Sequence, residues 1–410
     1  MSDMFNQQNK TTFNDLYNNE YIGIENDGSD EMILDKPYDP DKISIETRKL
    51  SVETIIRRSR QEALILDPDF QRNDVWDITR KSRLIESIIL KLPLPMFYFS
   101  ADKDGKFAVI DGKQRLSSII NFIREDLDNY ALYGLEFCTY FEGMKFSELP
   151  YNIKNRIYET EIYVTIVNPG TPESLKRNIF KRINTGGMPL SPQEIRNALY
   201  TGTSTTLLSD LSATEDFRKA TDYSIRQERM EDKELILRFL AFYIRDYNHY
   251  KTTNIDTWLS DTMLAINYIG NDANCSYDEI FSENKFDVDL LKSFSIKSIK
   301  KDFSTAMQRC HTIFGENAFR KSIAYNIAEG RHRTPINKSL FEVFSYLLLR
   351  LTEKEFEKLT EMKSTFIEKL SVLSDPEFER AISRDSMKAV SVNLRFEKVK
   401  VILEGILKND

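Results

Sequence analysis

Apolar and polar positions fall into a regular pattern only from Ile43 onward. Residues 1–40 are rich in Asn, Asp and Glu and have little periodicity, which predicts a flexible acidic tail; the other reading is an acidic arm that covers a basic site elsewhere. From Ile43 the chain reads as alternating strands and helices. Ser51 stands where it would cap a helix carrying Val52, Ile55 and Ile56 on one side. Ala63 to Leu66 is a short apolar strand ended by Asp67-Pro68. Leu84, Ile85, Ile88 and Ile89 recur at helical spacing, with Pro93 and Pro95 as stops. Met96 to Ser100 and Phe107 to Ile110 read as a strand pair joined by the turn residues Asp102-Lys103-Asp104-Gly105. After Asp111-Gly112 a helix turns Leu116, Ile119, Ile120 and Ile123 inward.

Residues 135–168 read as further strands around a short helix, ending in Ile162 to Val167. Thr171-Pro172 opens a helix that closes at Asn184-Thr185-Gly186-Gly187. The next starts at Ser191-Pro192-Gln193-Glu194, with Ser and Glu at capping-box spacing and Pro where its missing N–H costs nothing. Beyond about residue 205 strand signals thin out. Segments such as Glu234 to Tyr247, Leu340 to Leu351 and Glu353 to Leu373 have helical periodicity. The expected organisation is therefore α+β: a tail over 1–40, an α/β domain over 41–205 and a mostly α-helical domain over 206–410.

Composition narrows the class. A chain of 410 residues is long for a single core, and no apolar run approaches the roughly 18 residues that span a bilayer, so no membrane partner is expected. The opening Met1-Ser2-Asp3-Met4-Phe5-Asn6 has neither the basic nor the apolar region of a secretory signal. Cys138, Cys275 and Cys310 are odd in number and widely separated, which fits a reducing, cytoplasmic setting rather than a disulfide framework or zinc cluster. The net charge of −7 is local. Residues 1–40 hold nine acidic and two basic residues, and removing these from the totals of 64 and 57 leaves 55 of each sign. A local basic groove is compatible with this balance, whereas a strongly cationic DNA-coating protein is not.

Three constellations are candidates for chemistry. In the first, Asp111-Gly112-Lys113-Gln114-Arg115 joins a buried strand to a helix start. Free N–H groups there favour an anion, Gly112 permits close approach of a phosphate, Lys113 and Arg115 add charge, and Asp111 is a candidate magnesium ligand. An ordinary strand-to-helix corner with solvated charges has the same spacing. The second is Asp67-Pro68-Asp69-Phe70-Gln71-Arg72 followed by Trp76, where Gln71 and Arg72 offer a further phosphate or base contact and Trp76 a wall or stacking surface; a loop pinned by Phe70 and Trp76 also explains it. The third is Phe180 to Gly187, from which Arg182 and Asn184 can reach a ligand; a helix C-cap and turn explains its glycines as well. His249, His311 and His332 are isolated. The Gly-x-x-x-x-Gly-Lys-Ser/Thr loop of P-loop NTPases and the local motif of Ser-His-Asp hydrolases are both missing.

Taken in order, four stretches resemble the ParB-like N-terminal domain of GmrSD-type, modification-dependent restriction systems. They are Asp69-Phe70-Gln71-Arg72 with Trp76; Leu84-Ile85-Glu86-Ser87-Ile88 with Leu92-Pro93-Leu94-Pro95; Val109 to Leu116; and Phe180 to Gly187 with Leu190-Ser191 and Glu194. The resemblance covers roughly residues 43–203, and Arg331 to Phe341 resembles a segment of longer members. It implies a ParB/sulfiredoxin-like α/β fold, binding and in several relatives hydrolysis of a nucleoside triphosphate with Mg2+, and a role in defence against phage or foreign DNA. Carried over by position, Asp111, Gln114 and Arg115 are the expected catalytic residues, Asp111 the metal ligand, and Gln71, Arg72, Gly112, Lys113, Arg115, Arg182 and Asn184 the nucleotide contacts. Lys113 stands where the family most often has Gln, which bears on hydrolysis if that Gln positions water. Many members continue into a His-Asn-His nuclease domain, which three isolated histidines do not supply.

The leading expectation is a nucleotide-dependent sensor or switch acting on DNA or on a partner such as a nuclease subunit encoded nearby. Two other classes stay open: a non-catalytic DNA-binding module, and a metal-dependent nuclease working through Asp111 and Glu86.

Overall fold

The computed structural model describes residues 24–25, 44–66, 76–127, 129–171, 175–176, 179, 191–225, 228–251, 254–272, 286–324, 334–370 and 375–408. The chain divides into two units. One comprises Lys36–Leu190 and Glu194–Thr201; the other comprises Met1–Asp35, Ser191–Gln193 and Gly202–Asp410. The architecture is α+β, with the sheet in the first unit and helices making up the second.

The first unit is built on β1 (Ile45–Ser51), β2 (Leu64–Ile65), β3 (Phe97–Ala101), β4 (Phe107–Asp111) and β5 (Glu161–Val167), in the spatial order β1-β5-β3-β4-β2. β1 runs antiparallel to β5, β5 parallel to β3, β3 antiparallel to β4, and β4 parallel to β2. Alternation decides what each face buries. Phe97, Phe99, Phe107, Val109, Ile162, Val164 and Ile166 point into the main core. There they meet the apolar sides of α1 (Val52–Arg60), α2 (Ile78–Ile89), α3 (Lys113–Ile123) and α4 (Tyr151–Glu159). Ile110 and Val167 point the other way and pack with Ile195 and Ala198 of α5 (Pro192–Leu199).

Local chemistry explains the boundaries. Ser51 caps α1, its hydroxyl accepting from the Thr54 N–H at 3.2 Å, and Asp77 caps α2 through the Arg80 N–H at 2.7 Å. α2 ends before Pro93, at Leu90, because Lys91 turns to a φ of 59°. The Asp102 carboxylate closes the β3–β4 turn by accepting from Asp104 and Lys106, and Gly105 takes a φ of 76° there.

One expectation is corrected. In residues 135–149 the described backbone forms two 3-10 turns, Thr139–Phe141 and Phe146–Glu148, and no strand. The N–H groups that a strand would give to a ladder go to side chains instead. Glu86 takes those of Glu136, Phe137 and Cys138 at 3.1, 2.7 and 2.7 Å. Glu142 takes those of Gly134 and Leu135 at 2.7 and 3.1 Å.

The second unit runs through α6 (Thr203–Ser212), α7 (Glu215–Ala220), α8 (Glu231–Ile244), α9 (Ile255–Ile269), α10 (Val288–Lys292), α11 (Ile296–Phe314), α12 (Lys338–Leu349), α13 (Glu353–Glu361), α14 (Lys363–Leu370), α15 (Pro376–Ile382) and α16 (Ala389–Lys408). α8 and α12 are buried on nearly every side, the mark of helices at the centre of a unit. Their charged side chains meet one another: Glu342 accepts from Arg238 Nη1 at 2.8 Å and from Arg395 of α16, while Glu234 pairs with Arg238 and Lys338, each at 3.0 Å. In the periodic stretch that starts at Glu353, residues 353–370 form two helices, parted at Met362. No described helix is long and apolar enough to cross a membrane.

Candidate functional site

β4 ends at Asp111 and α3 begins at Lys113, so a single residue makes the corner. Gly112 takes a φ of 90°, a left-handed conformation in which a side chain is strained. A Cβ there would also fall on the ring of Phe97. The glycine is therefore required by the backbone and by the packing of β3 against the corner, with or without a ligand. As the cap of α3 it has no side chain to offer as an acceptor, and the positive end of the helix dipole lies at this corner.

Arg115, in the first turn of α3, folds back over the corner. Its guanidinium donates to the carbonyls of Pro95 and Met96, the latter at 3.1 Å, and to Asp111 Oδ2 at 3.1 Å. It also lies 4.3 Å from the Phe97 ring centroid. Burial lowers its pKa from the ordinary arginine value, against the pull of Asp111 and Tyr98, and the group stays cationic. Its side chain is 13% exposed and that of Asp111 36%, so the carboxylate is the more open partner. Lys113 is buried, which departs from a lysine reaching outward toward phosphate. Gln114 Oε1 and, one turn on, Ser117 Oγ are buried with no hydrogen-bond partner. Such atoms are uncommon and mark a place for water or a ligand. Ser117 is a site residue that the sequence reading misses, although Gln114 and Ser117 stand three apart, on one side of the helix.

Asp111, Gly112, Lys113, Gln114 and Arg115 are thus brought to one corner. Gln71, Arg72, Arg182 and Asn184 lie outside the described residues. Trp76 is described: it packs against the main core and its ring is capped by Arg80 at 4.6 Å. Glu86, the second carboxylate of the nuclease reading, is buried in its three backbone bonds. Burial alone would raise its pKa, but the N–H groups of Cys138, Phe137 and Glu136 hold it below the ordinary carboxylate value. That carboxylate is committed to a loop rather than to a cation shared with Asp111. Among the described residues no cluster of three or more His, Cys, Asp or Glu has the arrangement to hold a metal ion.

Residues 52–201 match the family model described as GmrSD restriction endonuclease, N-terminal domain. The likeness is confined to this stretch, which holds the sheet and the Gly112 corner. No curated protein and no solved structure matches the chain.

Proposed function

We propose that the chain is a nucleoside-triphosphate-binding and hydrolysing protein of a restriction or phage-defence system, working as a sensor or switch on DNA or on a nuclease partner. One observation carries this reading: α3 starts at a positive-φ glycine with no side-chain cap, and the Arg115 guanidinium is fixed over the same corner. A phosphate fits such a helix start, because it meets the positive end of the dipole. Arg115 is already fixed by two carbonyls and Asp111, so its charge is positioned before any ligand arrives.

The Asp111 carboxylate fits a magnesium ion carried in by the triphosphate. Arg115 bonds only its Oδ2 among the described residues, and a single protein carboxylate suits an ion held mainly by phosphate oxygens and water. When bound, such an ion would neutralise phosphate charge. The chain's own part is to present backbone N–H groups, to hold Arg115 in place and to keep the Gln114 amide close to the phosphate end.

A second reading, a non-catalytic DNA-binding module, draws on one feature. Tyr133, Phe137 and Tyr140 are exposed on the loop that Glu86 and Glu142 tie down, and exposed aromatics can stack on bases. Calorimetric titration with a nucleoside triphosphate, with and without magnesium, separates the two. Saturable binding that strengthens with magnesium is expected. Absence of heat with ATP, GTP, CTP and UTP, alongside retention of single-stranded DNA, would sink the first reading in favour of the second.

A further inference from the structure

The acidic segment before the sheet has one described foothold, Ile24–Glu25, and it lies on the helical unit. Ile336 forms the middle of a minimal ladder, bridging Arg320 in antiparallel and Ile24 in parallel fashion. The Glu25 N–H donates to the Ile336 carbonyl at 2.8 Å. The Glu25 carboxylate then divides its oxygens. Oε1 accepts from Lys321 Nζ at 2.6 Å and Oε2 from Asn337 Nδ2 at 3.0 Å.

The receiving groups are built around that carboxylate. Asn337 is fully buried. Its Oδ1 caps α12 by accepting from the Leu340 N–H at 2.9 Å, and one amide hydrogen goes to the Ile382 carbonyl at 2.9 Å. The remaining hydrogen goes to Glu25. Lys321 has three hydrogens and three acceptors: Glu25, Glu379 at 3.0 Å and Ser383 Oγ at 2.8 Å. The floor is held by contacts that do not involve the N-terminal segment. Arg320, fully buried, donates to the carbonyls of Glu316 and Thr334 and to Ser224 Oγ, and the Asn337 N–H donates to the Phe319 carbonyl. Withdrawal of Glu25 would leave a buried amide hydrogen and the Ile336 carbonyl without these partners, a cost that a merely passing tail does not impose.

We propose that the corner formed by Lys321, Ile336 and Asn337 is a receptor for an extended peptide bearing an apolar residue followed by a glutamate, and that Ile24–Glu25 is its resident occupant, a latch fastening the acidic segment to the helical unit. The main chain adds as a strand, and the carboxylate gives selectivity. Charge favours this occupant, since Glu25 comes from the segment that holds the chain's excess acidity.

Hydrogen exchange on the full-length protein tests the latch. The amides of residues 20–30 should exchange at least about tenfold faster in Glu25→Ala, a change equivalent to about 1.4 kcal/mol, and to an intermediate degree in Glu25→Gln, which keeps an acceptor for Asn337 but loses the charge. A fluorescent peptide spanning residues 18–32 should bind full-length Glu25→Ala, whose receptor is vacated, at least about tenfold more tightly than the parent. The same peptide carrying Glu25→Lys should not bind, and this control requires no change in the protein. Unchanged exchange in Glu25→Ala would overturn the proposal. So would a peptide that binds parent and variant equally, or one that tolerates Glu25→Lys.

Discussion

At the scale of single residues, Arg115 holds two jobs that a mutation must keep apart. It ties Pro95, Met96 and Asp111 together, and in the proposed function it meets phosphate. Charge-assisted hydrogen bonds contribute roughly 1.5–3 kcal/mol each. Arg115→Ala should therefore weaken triphosphate binding by about 10- to 150-fold, since each 1.4 kcal/mol is tenfold. It should also lower the melting temperature, because two backbone carbonyls lose their donor. Arg115→Lys should recover part of both effects, keeping charge without the planar fork. Lys113→Gln should cost less affinity. A purely structural arginine gives a different pattern: a lower melting temperature with affinity unchanged. The sequence shows Asp111, Gly112 and Arg115 as one group because they are adjacent. It does not show that Phe97, fifteen positions before Gly112, fills the space a side chain there would need, since that contact exists only once β3 and β4 have paired.

At the scale of elements, the strands and helices that the chain announces are those with strong local chemistry. β3, β4 and the turn between them carry alternating apolar residues and an Asp-Gly corner, and α1 and α5 start where Ser51 and Ser191 precede them. The stretch 135–149 misleads because Leu135, Phe137 and Phe141 give it the look of a strand, while its hydrogen-bond acceptor, Glu86, lies fifty residues away. This cage predicts a pH dependence. The folded pKa of Glu86 lies below its unfolded value, so its contribution to stability is fully present above the ordinary carboxylate pKa and is lost as pH falls through the lower, folded value. The amides of Glu136, Phe137 and Cys138 should become less protected together on acidification. Glu86→Gln sets an NH2 group against an N–H donor and should cost about 1–3 kcal/mol, with that acid-dependent component removed. If the three amides lose protection independently, or if Glu86→Gln retains the acid step, the cage is not what orders this loop.

At the scale of the whole molecule, periodicity reveals that the second unit is helical but not what lies at its centre. Arg238, Glu342 and Arg395 sit on three helices and would each be read as solvated from the sequence; all three are buried. Removing the shared anion takes from Arg395 its carboxylate and leaves Arg238 to Glu234. Glu342→Ala should therefore destabilise the unit by about 3–5 kcal/mol, or several degrees in melting temperature. The triple replacement Arg238→Met, Glu342→Leu, Arg395→Met should recover much of that loss, because it removes the desolvation penalty of these three charges and leaves Glu234 paired with Lys338. A triple variant less stable than Glu342→Ala would show that the network contributes through its attraction and not merely through its mutual neutralisation. The same blindness to distance hides Glu25, whose partners Lys321 and Asn337 are about three hundred residues downstream.

β1 stands last in the strand order, and among the described residues no strand continues the ladder beyond it. A seven-residue border of this kind is a template on which other chains can polymerise. Here it carries Glu46, Arg48 and Lys49 in close succession, with Arg48 paired to Glu46 at 2.8 Å and Lys49 to Glu161 at 3.2 Å. An incoming strand would have to strip water from these charges and find counterions for them. The border thus acts as a gatekeeper against aggregation, and apolar residues at Arg48 and Lys49 would turn a soluble edge into a seed for fibrils.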